Sequence, residues 1–200
     1  MTTDIEPFRV DVPDSVLTDL GDRLSRARIP TSIEGAGWSQ GTDPEYLAEL
    51  CAYWRDKFDW RAAEALLNGF AQYRTEIDGL GIHFVHVPSR EPAAMPLLLS
   101  HGWPGSVLEF HKIIGPLTDP VAHGGRAEDA FHVVCPSLPG FGFSDKPREP
   151  GWNARRIAGA FTQLMARLGY DHYGTQGGDW GGIVTAQMAA TDALLLGRVT

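Results

Sequence analysis

The chain has 200 residues, 43% hydrophobic and 21% charged, enough for one ordinary domain or a small module joined to part of a larger one. Its net charge of −8, without a basic patch, argues against nucleic acid and anionic membranes as partners. No apolar run approaches the ~20 residues of a membrane span, and the polar, acidic N-terminus lacks a signal-peptide pattern, so a cytoplasmic protein is expected.

The first eighty residues read as helices. Pro13-Asp14-Ser15 opens a segment with Leu17, Leu20, Leu24 and Ala27 on one face, ended by Ile29-Pro30. A glycine-rich loop with Trp38 follows. Asp43-Pro44 is an N-cap followed by proline at the first helical position. The helix behind it carries Leu47, Leu50, Cys51, Trp54 and Phe58 on one stripe. Asp59 caps a third helix, which Asn68-Gly69 stops.

The period then changes. Residues 73–77, Asp78-Gly79 and residues 82–87 predict a hairpin. Met95 to Leu99 reads as a buried strand, and Val107 to Leu117 as a helix. Phe131 to Cys135 is another strand. Ile157, Phe161, Leu164, Met165 and Leu168 form a helical stripe. A weak strand at His172 to Gln176 leads to a sharp turn, a helix, and Arg198-Val199-Thr200 as the start of a further strand. Alternating strands and helices imply an α/β fold, a parallel sheet with helices on both faces. A sheet ending on an unpaired strand exposes its edge, so the chain is expected to be the N-terminal part of a longer design.

Two turns carry the chemistry. Gly177-Gly178-Asp179-Trp180-Gly181-Gly182 sits between strand and helix, where G-x-S-x-G places a serine on a strained elbow. Here the elbow residue is Asp179. A carboxylate can attack a saturated carbon bearing a strained or good leaving group, forming an alkyl-enzyme ester. The helix start favours its anion. Ser100-His101-Gly102-Trp103-Pro104-Gly105-Ser106 follows a buried strand, where such a loop supplies one oxyanion-hole amide and the residue after the nucleophile the other. Those amides are Trp103 and Trp180. A third loop, Pro139-Gly140-Phe141-Gly142-Phe143-Ser144, leaves the sheet at the same end. Phe141 and Phe143 either wall an apolar pocket or plug the core.

Rival chemistries fit poorly. Neither glycine-rich turn matches G-x-G-x-x-G or G-x-x-x-x-G-K-[ST], and Asp179 would repel a phosphate. His83 and His86, three apart on a strand, face opposite sides. His111, His123, His132 and His172 show no ligand spacing, so no metal is expected, and no histidine reads as a general base. Cys51 and Cys135 read as free thiols.

The chain resembles the microsomal-type epoxide hydrolases, including bacterial soluble members. The resemblance covers essentially its whole length. It rests on Tyr53-Trp54-Arg55, Phe58-Asp59-Trp60, Ile82-His83-Phe84-Val85-His86 and the three loops above. It implies an α/β-hydrolase fold preceded by a helical N-terminal region, residues 1–70, with the first part of the hydrolase core over 71–200. Haloalkane dehalogenases share the Asp-Trp elbow but lack the helical extension. The implied chemistry has two steps: Asp179 opens an epoxide to a hydroxyalkyl ester, and water releases a vicinal diol. No metal or organic cofactor is implied. The family's cap tyrosines, acid and base histidine fall past Thr200, so turnover by these 200 residues alone is not expected; Tyr170 and Tyr173, ahead of the elbow strand, are not recruited for them. No counterpart of the family's membrane anchor is expected either. The partner is a small-molecule epoxide, which Trp103, Phe141, Phe143 and Trp180 suggest is apolar or aryl; a homo-oligomer stays open. Two alternatives stay open as well: a haloalkane dehalogenase-like hydrolase and a non-catalytic binding protein.

Overall fold

The structure, a computed structural model, describes residues 4–195. The strand expected at Arg198-Val199-Thr200 lies outside the described residues. Two compact units divide the chain. One is Val10–Leu66; the other holds the described residues up to Arg9 and those from Leu67 onward.

The first unit is helical. α1 (Asp14–Ser25) packs on α2 (Pro44–Asp56). α1 stops at Ser25 instead of running to Ile29, because the Arg26 amide turns back to the Arg23 carbonyl in a tighter i→i−3 bond. Asp43 caps α2, accepting from the amides of Glu45 at 2.7 Å and Tyr46 at 3.4 Å. Trp38 stands in a short 3-10 turn, Gly37–Gln40, with its ring 5.1 Å from Tyr46. α3 (Trp60–Leu67) begins where the Asp59 carboxylate accepts from Ala62 N at 3.0 Å. Glu64 on α3 accepts from the Val12 amide at 2.8 Å and from Arg61 at 2.7 Å.

The second unit is built on a six-stranded sheet: β1 (Glu6–Phe8), β2 (Gln72–Ile77), β3 (Leu80–Val87), β4 (Met95–Ser100), β5 (Phe131–Pro136) and β6 (Gly174–Gly177). The strand order is β1-β2-β3-β5-β4-β6. β4 runs parallel to both β5 and β6, whereas β1, β2 and β3 are antiparallel to their neighbours. The sheet is therefore mixed. Asp78 at φ +51 and Gly79 at φ +76 form the β2–β3 turn, the doubly left-handed geometry that matches strand twist in two-residue hairpins.

Leu98 and Val134, paired neighbours at the centre of the sheet, pack with Ile157, Phe161, Leu164 and Met165 of α5 (Ala154–Arg167) and Val184 and Met188 of α6 (Trp180–Leu195). Leu99, Val133 and Cys135 point the other way by strand alternation and are equally buried; α4 (Ile114–Thr118) packs on β5. The single helix expected over 107–117 is two pieces, a 3-10 turn at Val107–Phe110 and α4. Pro116 explains the break. Its ring would strike the carbonyl four residues back in a continuous helix, so it sits instead in the first turn of α4.

Candidate active site

β4 and β6 are adjacent, and their last paired residues, Ser100 and Gly177, lie level. The chain leaves both strands side by side. Asp179 follows at φ +53, on the turn into α6. Left-handed backbone is uncommon for a residue with a side chain, and Asp is among the few that tolerate it. Close backbone approach fixes the bend. A Cβ on Gly181 would collide with the carbonyl oxygens of Ser100 and His101, and one on Gly102 would lie 2.6 Å from Asp179 Cβ.

The Trp103 amide donates to Asp179 Oδ1 at 2.8 Å. This bond holds the Asp179 carboxyl below the usual carboxylate range; the Trp180 amide pulls the same way, and desolvation opposes them. The Trp103 loop is held from below. His101 is buried; its Nδ1–H donates to the Gly102 carbonyl at 3.0 Å and its Nε2 accepts from the Leu138 amide at 3.1 Å. Two backbone partners thus set its neutral tautomer, and burial lowers its pKa. His101 so ties the loop after β4 to the loop after β5. The Gly105 amide closes the turn on the Gly102 carbonyl at 2.9 Å, across a cis Trp103–Pro104 peptide.

Asp179 opens onto a cavity of about 330 Å³, lined otherwise by Gly102 to Gly105, Gly178 and Glu109. A larger hollow, about 930 Å³, lies between the Asp78-Gly79 turn and residues 144–152. It contains neither Asp179 nor the Trp103 loop, so chemistry favours the smaller space.

Asp179 and Trp103 therefore meet. Trp180 is next in sequence and 48% exposed, and, like the two phenylalanines below, it does not line this cavity, contrary to the expectation that it contacts substrate. Phe141 and Phe143 do not line this cavity, contrary to a reading of them as its wall. Phe141 stands edge-on to His101, centroids 5.8 Å apart, and packs on the core. Phe143 lies against Phe8 and His83. The loop carrying them folds back on itself: Ser144 Oγ donates to the Ser137 carbonyl at 2.8 Å, and Gly142 takes φ +52. Glu109 is the lining residue that motif reasoning missed. Its place in the 3-10 turn directly after the Trp103 loop was the available signal.

A serine–histidine pair exists elsewhere and is inert. His83 Nε2–H donates to Gln72 Oε1 at 3.0 Å, and Ser137 Oγ–H donates to His83 Nδ1 at 2.9 Å. Both residues are fully buried, out of reach of substrate. Burial, and after it the Arg74 charge, lowers the His83 pKa to about 4. The unfolded chain would take up this proton nearer 6.5. Stability is therefore fully present above pH 6.5 and lost as pH falls toward 4, by roughly 3 kcal/mol from this group. Urea unfolding at pH 7.5 and 4.5, with the His83 ring proton followed by NMR, checks both the loss and its source. His86 bonds Tyr170 at 2.9 Å, Tyr170 stacks on His132, and Tyr173 is buried in the core. None of these lines the cavity. Among the described residues no group of three or more His, Cys, Asp or Glu is placed to hold a metal, and no helix is long and apolar enough to cross a membrane.

Comparison with known proteins agrees with this architecture. The model for the epoxide hydrolase N terminus matches residues 5–110, and that for the alpha/beta hydrolase fold matches residues 95–197. A Stigmatella aurantiaca protein provisionally named an epoxide hydrolase is 59% identical over 92% of the chain and 42% of its own length. Epoxide hydrolase 1 of Oryctolagus cuniculus is 44% identical, with the same coverage of both. The crystal structure of juvenile hormone epoxide hydrolase from the silkworm Bombyx mori superposes with TM-score 0.83 at 37% identity, over 94% of this chain and 50% of that one. The chain thus spans about two fifths of the length of the curated relatives it matches. With the N-terminal module and the opening of the α/β-hydrolase fold both matched, the chain belongs to the epoxide hydrolase family.

Proposed function

We propose that Asp179 is the nucleophile of an epoxide hydrolase and that the amides of Trp103 and Trp180 form its oxyanion hole. The observation that carries this reading is a left-handed Asp179 whose Oδ1 accepts the Trp103 N–H at 2.8 Å. In the reaction, Oδ2 attacks an epoxide carbon. The carbon–oxygen bond opens, the ring oxygen leaves as an alkoxide and takes up a proton from solvent water at this exposed site, and a hydroxyalkyl ester remains on Asp179. Water then adds to the ester carbonyl. The oxygen held by Trp103 becomes the oxyanion, and its collapse releases a vicinal diol and the carboxylate. Each amide donor of this kind contributes about a hundred- to a thousandfold in rate.

The lowered pKa of Asp179 supports the reading, since the attacking form is the anion. Family membership supports the choice of an epoxide as the electrophile. Exposed Trp103, at the rim of the cavity, fits an apolar or aryl substituent.

Incubation with styrene oxide tests this. The expected result is one adduct of protein plus epoxide mass, mapped to Asp179 by peptide mass spectrometry. No imidazole lines the cavity among the described residues, so the ester should accumulate instead of turning over rapidly. An unmodified Asp179 after prolonged exposure would overturn the assignment.

A further inference from the structure

Glu109 is the second carboxylate of the cavity, and the mechanism above gives it no task. It sits on the 3-10 turn Val107–Phe110, which begins directly after the Trp103 loop. Its carboxylate lies so close to Gly105 Cα that a Cβ there would overlap Oε1. The side chain is thereby placed at the loop and lines the same 330 Å³ space as Asp179. No Lys, Arg or His lines that space with it, and no ion pair engages Glu109 among the described residues.

Asp179 has its charge answered by backbone N–H groups aimed at it. Glu109 has no ion pair among the described residues; its charge is felt at buried His101, whose pKa it raises against burial, and it borders the volume that a substrate must enter. Both carboxylates are exposed, so their field is strongest at low ionic strength, where like charges at a surface still repel, and a cleft lined by one sign of charge selects the sign of what enters it.

We infer that Glu109 is a specificity-determining residue, a charge filter that admits neutral and cationic epoxides and rejects epoxides bearing a carboxylate next to the ring. This inference rests on the epoxide reading of Asp179 and names the substrate class of that same site.

An isosteric pair tests it: phenylglycidamide, which is neutral, and phenylglycidate, which carries the carboxylate. The measured quantity is the second-order rate of ester formation on Asp179, each rate divided by that of the same epoxide with free acetate. In the unaltered chain the amide should react about tenfold faster or more after this correction. The preference should shrink as salt rises from about 0.02 to 0.5 M, because ions screen the field. Glu109→Gln should reduce it at least threefold by accelerating phenylglycidate while phenylglycidamide changes little. A structural role for Glu109 would instead slow both epoxides together and leave their ratio unmoved. Reaction with phenylglycidamide at a ratio unaffected by Glu109→Gln and by salt overturns the filter and leaves the nucleophile assignment standing. Failure of phenylglycidamide to modify Asp179 at all overturns that assignment, and the filter falls with it.

Discussion

Asp179→Asn should abolish ester formation, lowering its rate a thousandfold or more, while the unfolding midpoint stays close to that of the unaltered chain. The two halves of this expectation have separate causes. Asparagine matches aspartate in shape and tolerates the same left-handed backbone, so φ +53 at position 179 is no obstacle. Its side-chain oxygen can still accept the Trp103 N–H that now reaches Oδ1 at 2.8 Å. The packing of Gly102 and Gly181 around the elbow is untouched. What disappears is the anionic oxygen able to displace an epoxide oxygen, and loss of a nucleophile removes an interaction that exists only in the transition state. Styrene oxide labelling followed by intact-protein mass spectrometry reads the rate, and circular dichroism melting reads the fold. An adduct forming at an unchanged rate would place the alkylation elsewhere, with Glu109 the first residue to map, since it is the other carboxylate lining that space.

The elbow was legible in the sequence because its constraints are local. Close packing around Asp179 demands small residues at fixed offsets, and Gly177, Gly181 and Gly102 stand where a Cβ would meet backbone or the Asp179 side chain. The Asp78-Gly79 hairpin was legible for the same reason: its two left-handed residues must be types that accept that geometry. β1 was not. Glu-Pro-Phe carries no alternating pattern, and its three residues owe their strand to pairing with Gln72–Arg74, some sixty-five positions away. The break before α4 was available from Pro116 alone, but the apolar spacing of Phe110, Ile113, Ile114 and Leu117 pointed to one continuous helix. Phe141 and Phe143 illustrate the reverse difficulty. An aromatic beside a glycine turn serves equally as a pocket wall or as packing, and the Ser144–Ser137 bond that folds the loop inward is invisible until the strands are in place. Glu109 belongs to no motif. Its importance comes from sharing a small space with Asp179, and shared space is a property of the fold.

The sharpest test of that geometry alters no reacting group. Gly181→Ala adds one methyl where the carbonyl oxygens of Ser100 and His101 already sit. The obstacle is backbone, so no side chain can rotate away. Either the start of α6 withdraws from β4, or the end of β4 bends away from α6. Both movements separate Asp179 on the elbow from the Trp103 amide beyond β4. Overpacking in well-packed sites costs about 1–3 kcal/mol, and a backbone collision belongs at the upper end, about 3 kcal/mol by urea unfolding. Loss of the amide contact should slow ester formation on Asp179 by about a hundredfold, the typical effect of removing one oxyanion donor. Gly159→Ala is the matched control. A Cβ there meets nothing within 4 Å, in the middle of α5, so alanine should stabilise the chain by about 0.5–1 kcal/mol through its better helix propensity and leave labelling unchanged. Opposite signs from the same substitution at two helical glycines would trace the loss to the elbow's geometry. Equal labelling rates in both variants would instead mean that the contact between Asp179 and Trp103 is dispensable, and the oxyanion hole would have to be sought among other donors.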